Sequence, residues 1–326
     1  MADTEKLLSL AEPLAPLSGG MIKLHGRIEV DLQARLPAFD CGAGYAYGAV
    51  DDGDKGRSLY ALVCDPRVPY RYKPMAVLRG KNNKNYVSVV TAGRLSPIGS
   101  IETRLAIVLD RPAGGSLADL LSGGGVPNER WIAEVIVPQL LDGLRELHGL
   151  GVAHWGLRPD NIFFDAKDGT VTLEQCVAGP AGALQIAAFE PMECAAATPD
   201  GRGDGTPAYD MFASGVLLLT LSACAEPACE DDRAQLVDRM IGGSYTALSG
   251  SHKISGPFSE LVKELMCDGP AARWGVEEIG EWVHGRRPKT TRVVVPRRAL
   301  QPFSFEGRAY IYDLELALDF AANQAQ

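Results

Sequence analysis

"GVAHWGLRPDNIFFD", residues 151–165, is the stretch on which the reading of this chain turns. It begins at a glycine, gathers His154, Arg158, Asp160 and Asn161 around Gly156 and Pro159, and ends in the strand-like run "NIFFD". Upstream, "ERWIAEVIVPQLLDGLRELHGLG" places apolar residues at 132, 135, 136, 140, 144 and 147, the period of a helix packed on one face. Asn128 suits its N-cap, and Gly149 or Gly151 its stop. Downstream, "VTLEQC" reads as a second short strand, joined to the first by a "KDG" turn.

Moving outward, the two sides differ. From about 21 to 110 the apolar runs are short and β-like ("YALVCD" at 60, "YVSVVTAG" at 86, "TRLAIVLD" at 103), with Gly- and Asp-rich punctuation between them. After "RPAGGS" at 111–116 the pattern turns helical, and further helices are expected near 209–223, 258–267 and 276–284. The fold class is therefore α+β and bilobal. The expected organisation is a leader at 1–20, a β-rich lobe at 21–110, a helical lobe at 111–285, and a basic linker with a C-terminal extension at 286–326. That extension ends in a strand-turn-strand pattern and an amphipathic helix; it either packs on the helical lobe or begins a longer module.

With 46% apolar and 22% charged residues the chain reads as soluble and globular, and its net charge of -9 argues against general nucleic-acid binding. Seven cysteines, an odd number with no CxxC, indicate neither a disulfide framework nor a zinc site, and fit a reducing cytoplasm. No signal peptide is visible, and "MFASGVLLLTLSACA" is too short to span a bilayer. Residues 66–100 hold cations and no acid, so Arg67, Arg71, Lys73, Arg79, Lys81 and Lys84 form a possible docking surface for an acidic protein partner. The alternative is an ordinary solvated face. The "RGD" at 202–204 is a lone tripeptide without an expected adhesion role, and Cys224 and Cys229 read as packed thiols.

The order of motifs resembles the protein-kinase fold over about residues 25–285, and in particular the bacterial Ser/Thr kinase-related proteins. "HWGLRPDN" stands where His-Arg-Asp-Leu-Lys-Pro-x-Asn would be, "VTLEQCV" where Val-Lys-Leu-x-Asp-Phe-Gly would be, and "YALV" where the strand ending in the ATP-binding lysine would be. "AYDMFASGVLLLTL" is similar to the buried helix whose first-turn aspartate holds the catalytic loop. The resemblance implies structural roles for His154, Pro159, Asp210 and Arg273, the last pairing with Glu193 or, as a competitor, Glu190.

Against that pattern the chemical positions depart. The lysine falls on Val63, the catalytic aspartate on Gly156, its preceding arginine on Trp155, and the metal-binding Asp-Phe-Gly on Gln175, Cys176 and Val177. A missing general base alone costs about 10²–10⁴ in rate. Gly42, Gly44, Gly48, Arg158 and Asn161 read as remnants of a nucleotide pocket, with Tyr45 or Tyr47 intruding on the Gly-rich segment. Glu174 and Asp160 are poor substitutes for the lost acids.

The expectation is therefore a catalytically inactive pseudokinase that serves as a protein-binding scaffold or signalling regulator, not an enzyme, with no metal, no cofactor and no Mg-ATP. The alternatives are a metal-independent nucleotide sensor, which would use the cleft under the hinge at 110–115, or an enzyme of atypical transfer from ATP. Nucleic acid is not an expected partner.

Overall fold

In the computed structural model the described residues are 15–96, 103–124, 127–180, 182, 184–195, 203–225, 233–254 and 256–288, with the backbone of 303–305 and 308–310. Most of the expected leader, Arg202 of the "RGD", Cys229 and most of 286–326 lie outside them. Residues 1–290 form one compact unit and 291–326 another. In the second, Phe303–Phe305 pairs antiparallel with Arg308–Tyr310; the helix expected after it lies outside the described residues.

The first unit opens with a six-stranded antiparallel sheet built from β1 (Met21–Leu24), β2 (Ile28–Arg35), β3 (Gly44–Asp51), β4 (Asp54–Cys64), β5 (Val89–Leu95) and β6 (Arg104–Asp110). Its spatial order is β1-β2-β3-β4-β6-β5. Between β4 and β5 runs a short helix, α1 (Tyr72–Leu78), which interrupts the β-like pattern of this lobe. Strand alternation divides β4 between two cores. Tyr60, Leu62 and Cys64 join the large core that continues into the helical lobe. Leu59, Ala61 and Val63 join a smaller cluster on the opposite face, with Leu24, Val30, Tyr47 and Val108.

After the hinge comes β7 (Gly115–Ser116) and α2 (Leu117–Ser122), whose start is a reciprocal capping box of Ser116 and Asp119. The helical period at 132–147 becomes a π-turn at Ile132–Ile136 and then α3 (Val137–Gly149). Asn128 accepts a hydrogen bond from the Trp131 amide at 2.8 Å, and Gly151 turns the chain away at φ +73°. The hairpin of β8 (Ile162–Asp165) and β9 (Thr170–Leu173) follows, completing a small sheet with β7.

After a 3₁₀ turn at Ala187–Phe189 and a short helix at Met192–Ala195 comes α4 (Pro207–Ala223), mostly apolar apart from Asp210 and a few hydroxyls and buried along most of its length, as a helix at the centre of a lobe must be. It is followed by α5 (Arg233–Met240), α6 (Ser244–Ser249), α7 (Gly256–Leu265) and α8 (Val276–Val283); α7 packs along α4, α5 on α6, and α8 on α3. Among the described residues no helix is long and apolar enough to cross a membrane. A curled antiparallel lobe followed by a helical lobe is the mixed α+β architecture of a protein kinase.

Candidate functional site

The loop 153–161 is held from below by one carboxylate. Asp210, fully buried in the first turn of α4, accepts hydrogen bonds from the His154 amide (2.8 Å), the Trp155 amide (2.7 Å) and His148 Nε2 (2.8 Å). Trp155 takes a left-handed conformation at φ +51° and lays its indole against Tyr209, with ring centroids 5.0 Å apart. Gly182 and Gly205 cover that indole. A Cβ on Gly182 would stand 2.6 Å from it and one on Gly205 2.3 Å, so both positions exclude a side chain. His154 is buried and donates from Nε2 to the Glu174 carbonyl at 2.9 Å. Burial pushes its pKa down to about 4, so the ring is neutral. Pro159 begins the turn Pro159–Asn161 that leads into β8. Lower in the lobe, Arg273 Nη1 donates to Glu193 at 3.0 Å and to the Ala208 carbonyl at 2.8 Å.

Arg71 was grouped above with the docking surface, and the structure corrects this: it is buried. As the N-cap residue of α1 it enters the inter-lobe cleft. Nη1 donates to the His154 and Cys176 carbonyls (3.1 and 2.9 Å), and Nη2 to those of Ala153 and Asp204 (2.9 and 2.8 Å). One guanidinium thus ties the β lobe to the loop, to the strand end at 176 and to the segment before α4. The carbonyls supply the partners that a buried cation requires. Arg67, Lys73, Arg79 and Lys84 are exposed and Lys81 half-buried; Arg67 is held by Asp65 at 2.6 Å and Lys73 lies 3.7 Å from Asp204.

The register assumed for the lysine position is also corrected. Val63 packs on the face away from the cleft, and its cleft-side neighbours are Leu62 and Cys64. A one-residue slip in a strand exchanges the two faces. The glycines follow the same correction. Gly44 and Gly48 lie within β3, where a Cβ on Gly44 would come 2.5 Å from the Val63 carbonyl oxygen and one on Gly48 3.2 Å from the Ala34 Cβ. Gly42 faces Leu184. They permit close packing of the chain on itself. Tyr45 and Tyr47 pack on the face of the sheet away from the cleft, under the Arg35 guanidinium at 4.5 and 5.1 Å from their ring centres, rather than over a phosphate path.

Several further polar groups of the cleft are committed to the protein. Gln175 Oε1 accepts from the amides of Val177 and Ala178, both at 2.9 Å. Asn161 Nδ2 donates to the Gly156 and Gln175 carbonyls at 2.8 and 3.3 Å. Glu174, buried, accepts from the Tyr60 hydroxyl, and burial raises its pKa to about 7. Arg158 pairs with exposed Asp160 at 2.8 Å and donates to the Leu184 carbonyl at 2.5 Å. Cys176 is half-buried, and desolvation of its thiol pushes the pKa up to about 11. What is left open is a cavity of about 30 Å³, room for a water or two, lined by Arg71, Trp155, Gly156, Arg158, Asn161 and Gln175 among others, with no carboxylate in its wall.

One feature between the lobes escapes the sequence reading. Phe39, from the turn between β2 and β3, inserts its ring between Tyr60 of β4 and Phe163 of β8. The centroids are 4.8 and 5.0 Å away and the planes tilted by 27° and 7°. The Arg111 guanidinium of the hinge lies 5.5 Å from the centre of the same ring. Its sequence signal was an isolated apolar residue in a Gly- and Asp-rich turn, "LPAFDCGAG".

No protein-family model matches the chain. It is 27% identical over 195 residues to CBL-interacting protein kinase 24 of Oryza sativa subsp. japonica, covering 58% of this chain and 42% of that protein. It is 26% identical over 209 residues to serine/threonine-protein kinase H1 of Mus musculus, covering 61% and 47%. The chain thus spans about half the length of the curated relatives it matches. Among solved structures, that of Rad53 1-466 in complex with AMP-PNP superposes with a TM-score of 0.58 at 19% identity, over 72% of this chain and 60% of that one. The fold is that of a protein kinase. The expectations of no enzyme and no Mg-ATP are corrected here: relatives named as protein kinases, and a neighbour solved with AMP-PNP, point to an enzyme and to Mg-ATP.

The side chains present do not fit that group in the manner the resemblance implies. Leu62 and Cys64 supply no cation, and Gly156 supplies no proton acceptor. Gln175 spends its Oε1 on two backbone amides and Asn161 its Nδ2 on two backbone carbonyls, and Phe39 fills the space beneath the hinge. Among the described residues no three His, Cys, Asp or Glu side chains are grouped to hold a metal ion.

Proposed function

We propose that this chain is a kinase-fold signalling regulator of the pseudokinase type, acting in the cytoplasm through a protein partner, with an ATP site that is degenerate at its lysine and at both of its aspartates. What supports the reading is the contrast around residues 154–175. The Asp210 carboxylate holds the loop backbone, while Gly156 and Gln175 stand where the loop and the following strand would present acids. The proposed partner is acidic and meets the exposed cations Lys73, Arg79 and Lys84.

The test compares the natural chain with Leu62→Lys/Gly156→Asp/Gln175→Asp in thermal unfolding, with ATP, with and without Mg²⁺. A ligand that binds only the folded state raises its melting temperature through linkage. The expected result is a larger Mg²⁺-dependent rise in the triple variant, by about 2 °C or more. A natural chain whose Mg²⁺ response already equals that of the variant contradicts the reading.

A second reading is favoured by the wall of the small cavity. Two guanidiniums, Arg71 and Arg158, border it and no carboxylate does. Such a wall favours an anionic group over a metal cation once the cavity, which in this state has room for a water or two, widens. This supports nucleotide sensing without metal, and calorimetric titration of ATP in EDTA tests it.

A further inference from the structure

The turn that carries Phe39 is built from local interactions. Pro37 starts a single 3₁₀ turn, Pro37–Phe39, and fixes its first φ. Asp40 closes it, accepting from the Ala46 amide at 2.8 Å and from Arg35 Nη2 at 2.5 Å. The Leu36 amide donates to the Ala46 carbonyl at 3.0 Å, and Cys41 and Gly44 exchange two backbone bonds at 3.1 Å. All of these lie within residues 35–46. The contacts of the Phe39 ring with Tyr60, Phe163 and Arg111 reach across the cleft to distant parts of the chain.

The two outer rings of the stack are fixed differently. Tyr60 sits on β4, in the middle of the six-stranded sheet, and its hydroxyl is held by Glu174. Phe163 sits on β8, the central strand of the small sheet. They belong to opposite lobes, and only the middle ring rides on a turn. Withdrawal of Phe39 would therefore leave two aromatic faces separated by the thickness of one ring, with a hinge cation 5.5 Å from the centre of the vacated place.

We infer that the space between Tyr60 and Phe163 is a stacking slot for a flat heteroaromatic ring such as a purine, filled in this state by the chain's own Phe39, so that ligand entry and departure of Phe39 are one event. The inference rests on the reading of this cleft as a nucleotide-type site and names how access to it is regulated. A stack takes its energy from overlap of flat faces and is tolerant of which aromatic supplies them, so a phenyl ring and a purine compete for the same place. A site whose open form is a minor population binds more weakly in proportion to that population. A ring held within the slot 99% of the time lowers apparent affinity about a hundredfold by this rule.

The probe is adenosine, which has the ring and lacks the phosphates. Its binding is therefore separate from the lysine and metal positions, on which the proposed function turns and which Mg²⁺-ATP tests. Calorimetric titration of the natural chain, Phe39→Ala and Phe39→Leu is expected to show at least tenfold tighter adenosine binding in Phe39→Ala, with Phe39→Leu between the two. Phe39→Leu keeps apolar volume and removes the stack, so it decides the matter if the alanine variant fails to fold. In the natural chain, saturating adenosine should lower hydrogen-exchange protection of the amides at 39–46. Adenosine affinity that is unchanged or weaker in the folded variants overturns the inference, as does adenosine binding to the natural chain with those amides undisturbed.

Discussion

The floor of the loop at 153–161 and the cleft above it are built on opposite terms. Beneath the loop, Asp210 meets three donors at 2.7 to 2.8 Å and Arg273 bridges Glu193 and a helix-start carbonyl. This is polar chemistry, buried and paired. Above the loop, three aromatic rings and Leu62 fill the space between the lobes, and Gln175 Oε1 and Asn161 Nδ2 turn back onto the chain. The comparison teaches that the frame of a kinase fold does not depend on the groups the loop presents. Asp210 binds backbone amides, which every residue but proline offers, so Trp155 and Gly156 are held as firmly as any other pair would be.

The comparison can be broken most severely at Asp210. Replacing it with alanine leaves two buried amides and a histidine without an acceptor, and should cost about 4 kcal/mol in urea unfolding. A loss under about 1 kcal/mol would mean that the loop is held by other contacts. Next in size is Phe39→Ala, which empties the middle of the stack and should cost about 3 kcal/mol in the absence of ligand.

A pH series sharpens the comparison at the join between the two regions. Burial raises the Glu174 carboxyl to about 7, above the ordinary 4.5, so the folded chain holds a proton that the unfolded chain releases between those values. Stability from this group therefore falls as pH rises from about 4.5 to 7. His154 works in the opposite sense. Held down to about 4 from 6.5, it costs stability as pH falls through that window. Glu174→Gln should remove only the first effect, so the variant gains on the natural chain as pH rises from 5 to 8, by about 1–3 kcal/mol in urea midpoints converted to free energy. A difference that is flat across that range contradicts the assignment of a buried, proton-holding Glu174.

The smallest expected effect is at the surface. Lys73→Ala removes an ion pair at 3.7 Å between side chains 83% and 73% exposed, and should change stability by less than about 0.5 kcal/mol.

Much of the floor was legible in the sequence because it depends on local order. A helix with its stop, a loop, a hairpin and a later apolar helix beginning near an aspartate can be read segment by segment. The cleft was legible only in part. Gly156 and Gln175 follow from position within their segments. Val63 was assigned one residue out of register, and in a strand one residue is the difference between the cleft and the opposite face. A shift of pairing between β3 and β4 at Ala49–Asp51 is among the irregularities that spacing does not reveal. Arg71 lay in a run of cations without acids, where nothing marks one side chain for burial, and its four carbonyl partners come from distant segments. Phe39 carried no periodic signal, since its neighbours in the stack belong to other elements.

The most direct test of the account is a crystal structure of the chain without ligand, paired with crystals of Phe39→Ala soaked in adenosine. The account predicts the Phe39 ring between Tyr60 and Phe163 in the first, and the purine in that same place in the second. An empty slot with Phe39 turned to solvent in the first, or adenosine bound elsewhere over a closed slot in the second, would contradict it.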